Sequence, residues 1–466
     1  MSKTIVGFVA FAALTVTPAL AADMAVKAPA APTAPVINWT GFYLGAGYGY
    51  GLWDADTQTL TRTQSAGGRG WLGLVTGGYD YQFNDRIVVG VQADFDFGDI
   101  KGAVEDPGPF WVATTRETMA GSVGARAGWL LTPAILTYVN GGWSEARFAG
   151  GTLIDETNLN GISGTSSGFV TPSTTRSGYF VGGGVETAVS PGWFWRNEYR
   201  FASYSSANLP ETNPTTGATT GTVIRFRPDT QTITSALVYK FNSGSAPAYT
   251  ASQPVGASRA NWSGAYVGAG GGFGMWDADS SLTSPAIPGC ACGGPSQTDA
   301  GKGPLGVVTA GYDYQFSAFN MNLVAGPFAD FDFGSIKGTL DDAQTFTTAN
   351  TRDTDAWAAG VRGGWLVTPA ILSYFNGGWS EAHFAGGSMV GAAGPNGAAT
   401  PSVNLGGWFL GGGVETMLSS NWSWRNEYRY ASYHGTTLVE TGASGGDTLS
   451  FHPYVQTFTT QLVYKF

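Results

Sequence analysis

GFYLGAGYGYGLW (Gly41–Trp53) alternates with a period of two. Phe42, Leu44, Ala46, Tyr48, Tyr50 and Leu52 share one parity, while Gly45, Gly47, Gly49 and Gly51 fall on the other. Successive side chains of a strand point to opposite faces, so this stretch makes one apolar face and one face of minimal bulk. The rule repeats downstream. Trp193, Trp195, Tyr199 and Phe201 oppose Arg196, Glu198 and Arg200, and in VGVQADFDFG the aromatic Phe95 and Phe97 oppose Gln92, Asp94 and Asp96.

Eight such segments are expected before residue 242, at roughly 41–53, 70–83, 86–98, 116–130, 134–147, 175–189, 192–204 and 229–241. Their connections alternate in length. Tight turns are read at Asn84-Asp85, Thr132-Pro133 and Ser190-Pro191-Gly192, and long Gly/Ser/Thr-rich loops at about 54–69, 99–115, 148–174 and 205–228. An even number of long antiparallel strands, with short turns at one end and long loops at the other, is the pattern of a membrane-spanning barrel. A pair of secreted β-sandwiches is the soluble alternative, but its strands would run nearer five or six residues. Its polar faces would also carry Lys, Ser and Thr rather than matched Asp, Glu and Arg. In hydrocarbon every backbone polar group needs a partner, so the sheet must close.

The chain is written twice. NWTGFYLGAGYGYGLWDAD at Asn38 returns as NWSGAYVGAGGGFGMWDAD at Asn261, and GYDYQF recurs at Gly78 and Gly311. TPAILTYVNGGWSEARFAGG at Thr132, GGGVET at Gly182 and WRNEYRFASY at Trp195 find counterparts at Thr368, Gly411 and Trp424 in the same order. Each unit ends in LVYKF, at Phe241 and Phe466. The expected division is a signal peptide at 1–22, a Pro/Ala-rich linker at 23–37, a first unit at 38–241, a linker at 242–260 and a second unit at 261–466. The leader reading rests on Lys3, the apolar run Ile5–Val16 and the small residues Ala19-Leu20-Ala21, a charged start, short core and cleavage site that mark an exported chain.

Composition agrees with a lipid environment. Of 466 residues, 70 are Gly and only 12% are charged, about half the usual share. No internal apolar run is long enough for a membrane helix. A net charge of −10 supplies no basic field for nucleic acid.

NWTGFYLGAGYGYG directly after an export signal, NEYRY followed within two residues by Ser-Tyr, and a terminal LVYKF resemble the small outer-membrane β-barrel family of Gram-negative bacteria, the opacity-type porins and related surface antigens. The resemblance covers nearly all of the mature chain, twice over. It implies an all-β, transmembrane antiparallel β-barrel in the cell outer membrane, seated in the lipid bilayer. It also implies that the aromatic strand ends Phe241 and Phe466 are read by the barrel assembly machinery, and that loops face outside, where an extracellular ligand, haemin among them, could bind. The duplication departs from the usual member. Two closures follow from it: two tandem eight-stranded barrels, or one fused 16-stranded barrel, which would be a general diffusion porin because that width leaves an aqueous channel. The two-barrel reading is favoured because each unit has a full strand set and its own closing motif.

With aromatics facing lipid, Asp80, Asp94, Asp96, Arg126, Glu186, Arg196, Glu198 and Arg200 point into the first lumen. Asp313, Asp330, Asp332, Arg362, Glu415, Arg425, Glu427 and Arg429 point into the second. They are expected to pair with one another, since an unpaired buried charge is costly; a polar conduit is the alternative. Trp39, Tyr43, Trp53, Trp71 and Trp129, with Trp262, Tyr266, Trp276 and Trp365, are expected in interfacial belts. No catalytic residue, metal or cofactor is assigned. His383, His434 and His452 all lie in the second unit, and Arg147 and Arg227 stand where the first unit would match His383 and His452. Cys290 and Cys292 read as loop thiols or a local disulfide, two ligands being too few for zinc. The Gly-rich strings are not followed by a helix, as a phosphate cradle requires.

Overall fold

The computed structural model describes residues 37–58, 63–106, 111–155, 165–241, 261–284, 297–318, 321–342, 347–391, 394–442 and 447–466. The expected leader, nearly all of the 23–37 segment, the 242–260 connection, Cys290 and Cys292 lie outside the described residues. The first half contains β1 (Gly41–Gln58), β2 (Thr63–Gln82), β3 (Ile87–Asp106), β4 (Trp111–Thr132), β5 (Ile135–Ala149), β6 (Thr152–Asp155), β7 (Thr165–Val170), β8 (Thr174–Ser190), β9 (Trp193–Tyr204), β10 (Ala207–Thr212) and β11 (Thr219–Lys240). The second half contains β12 (Gly264–Ser284), β13 (Gln297–Ala318), β14 (Met321–Asp342), β15 (Thr347–Thr368), β16 (Ile371–Ala385), β17 (Ser388–Gly391), β18 (Gly394–Ala399), β19 (Val403–Met417), β20 (Trp422–Tyr433), β21 (Thr436–Val439) and β22 (Thr448–Lys465).

Antiparallel ladders run β1-β2-β3-β4-β5-β8-β9-β11, and β11 returns to β1. The second half repeats this as β12-β13-β14-β15-β16-β19-β20-β22, closed by β22 on β12. Tyr43 lies opposite Gly78 on one side and Lys240 on the other; Tyr266 is flanked likewise by Gly311 and Lys465. The long strands therefore close as two rings of eight, rather than the single wide ring that the sequence also allowed. In both halves the described long strands leave no open edge to meet lipid.

The alternation at Gly41–Trp53 sets the faces. Phe42 and Tyr48 are 65% and 60% exposed, whereas Tyr43 between them is 3% exposed. Trp71, Phe83, Val139, Val361 and Phe375 extend the apolar outer surface around both rings. A continuous apolar exterior of this extent requires a lipid or protein covering. The inward glycines let strands approach closely: a Cβ on Gly47 would lie 2.1 Å from the Ser235 carbonyl oxygen and 2.7 Å from the Ala236 Cβ across the closing seam. Gly47→Val is expected to destabilise the first ring by about 1–3 kcal/mol, read as a lower denaturant midpoint for its folded, fast-migrating form on a gel.

Two sequence expectations differ from the structure. Segments 54–69 and 99–115 were expected as long loops, yet pairing continues to Gln58↔Thr63 and to Asp106↔Trp111. In the 148–174 segment β6 pairs with β7, and in the 205–228 segment β10 pairs antiparallel with the early residues of β11, continuing the ladder that β9 makes with that strand. Backbone ladder bonds need no particular side chain, so once the barrel fixes two neighbouring strands, Gly/Ser/Thr-rich continuations zip up with them. The aromatic belts are also only partly as expected. Trp71, Trp129 and Trp365 are exposed, but Trp39, Tyr43, Trp53, Trp262, Tyr266 and Trp276 are buried inside the rings. Tyr43 and Trp53 take the inward, odd parity of β1, Tyr266 and Trp276 the inward, even parity of β12, and Trp39 and Trp262 stand two residues before those strands.

Candidate functional site: the two barrel interiors

At the short-turn end of the first ring, four elements deliver charges to one layer. Asp80 stands two residues before the end of β2, Arg126 on β4, Glu186 on β8 and Arg196 on β9, each on the inward parity. Arg126 Nε donates to Asp80 Oδ1 at 2.8 Å, its Nη2 also meets Asp80, and its Nη1 reaches Glu186 Oε2 at 3.0 Å. Arg196 Nε donates to the same Glu186 oxygen at 2.9 Å and its Nη1 to Thr76 Oγ1 at 3.2 Å. A fifth charge comes from the closing strand: Lys240 Nζ lies 2.5 Å from Asp80 and 3.0 Å from Glu186. Both guanidinium groups stack over the Tyr43 ring, at 4.7 and 4.6 Å. Buried charges are tolerable only when paired and hydrogen-bonded in this manner.

One layer towards the loops, Arg200 on β9 joins β3 and β4. It donates to Asp94 at 2.8 Å, to Ser122 at 2.8 Å and to Glu198 at 3.0 Å, and its guanidinium lies 4.3 Å over the Phe180 ring. Glu198 also accepts the Tyr138 hydroxyl at 2.7 Å. Asp96 is the next inward residue of β3, and its Oδ1 is buried without a hydrogen-bond partner. Above it, Thr230 donates to Glu117 at 2.8 Å.

The second ring repeats both layers. Arg362 joins Asp313 at 2.9 Å and Glu415 at 2.7 Å, Arg425 joins Glu415 at 3.0 Å, and Lys465 lies 2.5 Å from Asp313. Arg429 pairs with Asp330 at 2.5 Å and Glu427 at 2.8 Å. Asp332 matches Asp96, including its unpartnered buried Oδ1. Beside it, Asp353, Arg429 and Tyr433 line a cavity of about 30 Å³, room for one or two water molecules.

Aromatic plugs close the two ends. At the turn end Trp39, fully buried, packs on Phe194 with ring centroids 4.8 Å apart and donates its indole N–H to the Pro133 carbonyl at 2.9 Å. At the loop end Trp53 donates to the Ile100 carbonyl at 2.9 Å and meets Phe226 and Phe148 edge-on, at 5.8 and 6.5 Å. Trp262 and Trp276 make the same two hydrogen bonds, to Pro369 and Ile336, each at 2.9 Å.

Of the acids and arginines named from the sequence, all but Asp96 and Asp332 join a hydrogen-bonded cluster. Sequence reasoning missed Lys240, Lys465 and the plugging tryptophans. The signal for the lysines was present: in LVYKF, Lys takes the parity opposite to Leu, Tyr and Phe. The histidines do not converge. His383 meets Asn404, His434 meets the Gly406 carbonyl at 2.5 Å, and His452 meets Tyr454 at 3.3 Å. Among the described residues, no three His, Cys, Asp or Glu side chains group as metal ligands do.

Residues 10–241 match the family model described as outer membrane protein beta-barrel domain. The 25 kDa outer-membrane immunogenic protein of Brucella canis is 30% identical over 227 residues, which cover 48% of this chain and 91% of that protein. The 31 kDa outer-membrane immunogenic protein of Brucella suis biovar 1 is 29% identical over 213 residues, covering 42% of this chain and 86% of the relative. The 22 kDa outer membrane protein of Rhizobium leguminosarum bv. viciae is 31% identical over 181 residues, covering 38% of this chain and 69% of that protein. Among solved structures, Neisserial surface protein A aligns with 17% identity and a TM-score of 0.21, over 43% of this chain and 98% of its own. A Pseudomonas aeruginosa FadL homologue aligns with 10% identity and a TM-score of 0.26, over 91% of this chain and 90% of its own.

Proposed function

Because this chain belongs to the outer-membrane β-barrel protein family, we propose that it is a sealed, non-enzymatic surface protein that carries its outer hairpins on two rigid plugs. The protein is integral to the outer membrane, and its relatives are named outer-membrane or immunogenic proteins. The observation that carries the proposal is the pair of filled lumens. A solute entering the first ring meets Trp53, then the Arg200 cluster, then the Arg126 cluster, then Trp39, with the Arg126 and Glu186 side chains 1% and 0% exposed. Displacing any of these layers uncovers a buried charge or empties a packed site. An eight-stranded ring is about the width that its own side chains fill.

In this reading catalysis has no seat in either ring, where most of the buried charges are paired with one another and, among the described residues, no serine or threonine is hydrogen-bonded to a histidine base. The hairpins at the loop end are the surface offered to the outside, and the immunogenic relatives support reading them as the antigenic face. Residues 1–22 serve as leader, 23–37 and 242–260 as tethers, and 38–241 and 261–466 as the two barrel units. Phe241 and Phe466 present strand ends to the assembly machinery.

The test is single-channel recording of the purified protein in planar bilayers. The expected result is a silent bilayer. Large, stable, open-channel steps would overturn the proposal and return the general diffusion porin.

A further inference from the structure

Charges on the outward face of a membrane barrel strand are unfavourable unless something covers them. Asp54 on β1 and Asp277 on β12 both have outward parity, yet each is 1% exposed. What covers them is the other half of the chain. Lys302 on β13 reaches Asp54, lies 2.8 Å from Asp229 on β11 and 3.8 Å from Asp56. In return Arg69 on β2 pairs with Asp277 and, at 2.6 Å, with Asp279, while its guanidinium lies 4.2 Å over the Tyr454 ring.

These contacts are reciprocal. Arg69 and Lys302 each stand nine residues before GYDYQF, and Asp54 and Asp277 are the same residue of the WDAD repeat. The apolar contacts obey the same exchange. Tyr50 faces Tyr430 at 6.3 Å, and their repeat equivalents Phe273 and Phe201 face each other at 5.8 Å. Tyr199 stacks flat on Phe458 at 4.6 Å, and a Cβ on Gly67 would come within 2.5 Å of the Ala300 Cβ. A contact in which residue i of one body meets residue j of the other, and j meets i, is isologous, as in a two-fold dimer. Each unit thus displays a cation beside its own acids, a surface complementary to itself.

We infer that this face, centred on Arg69, Asp54 and Asp229 in the first unit and on Lys302, Asp277 and Tyr454 in the second, is a self-association surface. Its partner is another unit of the same kind, and the two barrels of one chain are a dimer held by the reciprocal clamp rather than by the tether. Specificity comes from the charges, since the apolar contacts alone resemble contacts with lipid, whereas a buried acid left without its cation is strongly disfavoured.

A site-specific protease sequence placed within residues 242–260 of the full chain tests the inference. After cleavage in mild detergent, the two folded halves are expected to co-elute on gel filtration. Arg69→Glu combined with Lys302→Glu should raise the separated fraction about tenfold or more, and Arg69→Glu alone should be rescued by Asp277→Arg. Heat-modifiable gel mobility checks that each half stays folded. Separation of the unsubstituted halves, or co-elution of the doubly reversed ones, overturns the inference. A measurement that leaves the charges alone uses Tyr199→Cys with Phe458→Cys, in a chain whose Cys290 and Cys292 are replaced by Ser. The expected outcome is near-complete cross-linking within one chain in membranes, and its absence overturns the inference equally.

Discussion

Arg126→Ala is expected to lower the stability of the first barrel by about 3–5 kcal/mol, the cost of stranding a buried partner when one member of an ion network is removed. Arg126 touches both Asp80 and Glu186, and all three side chains are 1% exposed or less. Without it, two carboxylates share Lys240 and Arg196 in a space that water does not reach. Urea titration followed by gel mobility reads the loss as a shifted midpoint. Arg362→Ala should produce a matching loss in the second barrel, through Asp313 and Glu415. The clusters lie in separate rings, so the losses should add when the substitutions are combined. An unchanged midpoint for Arg126→Ala would mean that the cluster does not hold the ring together.

Trp53→Ala should destabilise the first barrel by a comparable amount, about 3–5 kcal/mol, as for other large aromatic deletions from packed interiors. The indole is fully buried, packs edge-on against two phenylalanines and satisfies the Ile100 carbonyl. Trp53→Phe retains most of the packing and should lose less, about 1–3 kcal/mol for the unsatisfied carbonyl. Equal losses in the two variants would assign the whole effect to the hydrogen bond and none to the plug. The ionic layers below Trp53 should still leave Trp53→Ala electrically silent in a planar bilayer.

Much of this architecture is legible in thirteen residues. The period of two at Gly41–Trp53 assigns the lipid and lumen faces, the short turns place the strand ends, and the parity of Asp94, Arg126, Glu186 and Arg200 sends them inward. Parity relates residues within one strand and does not say which strands will be neighbours. The choice between two rings and one therefore came only with the β1-β11 and β12-β22 ladders. Tryptophan misled for a related reason: at a strand end its amphipathic ring suits the membrane interface and a barrel mouth equally, and the inward parity of Trp53 outweighs the residue-type preference. Arg69 falls in the 54–69 stretch that reads as loop, and Lys302 is its counterpart in the second unit. Their importance depends on a second barrel standing beside the first, which no local pattern encodes.

The lysine of each LVYKF motif has a consequence for assembly. Until the closing strand docks, Asp80 and Glu186 lack the Lys240 ammonium that touches both of them, with an unpaired strand edge on either side of the gap. β11 supplies both missing parts in one step, but only in one alignment. A slip by a single residue would turn Lys240 towards lipid and Tyr239 towards the acids. The motif thus ties the register of the seam to the ionic layer, since a one-residue slip loses the Lys240 contacts and turns an aromatic ring inward. Lys240 and Lys465 serve separate rings, so each unit carries its own marker of the closing register.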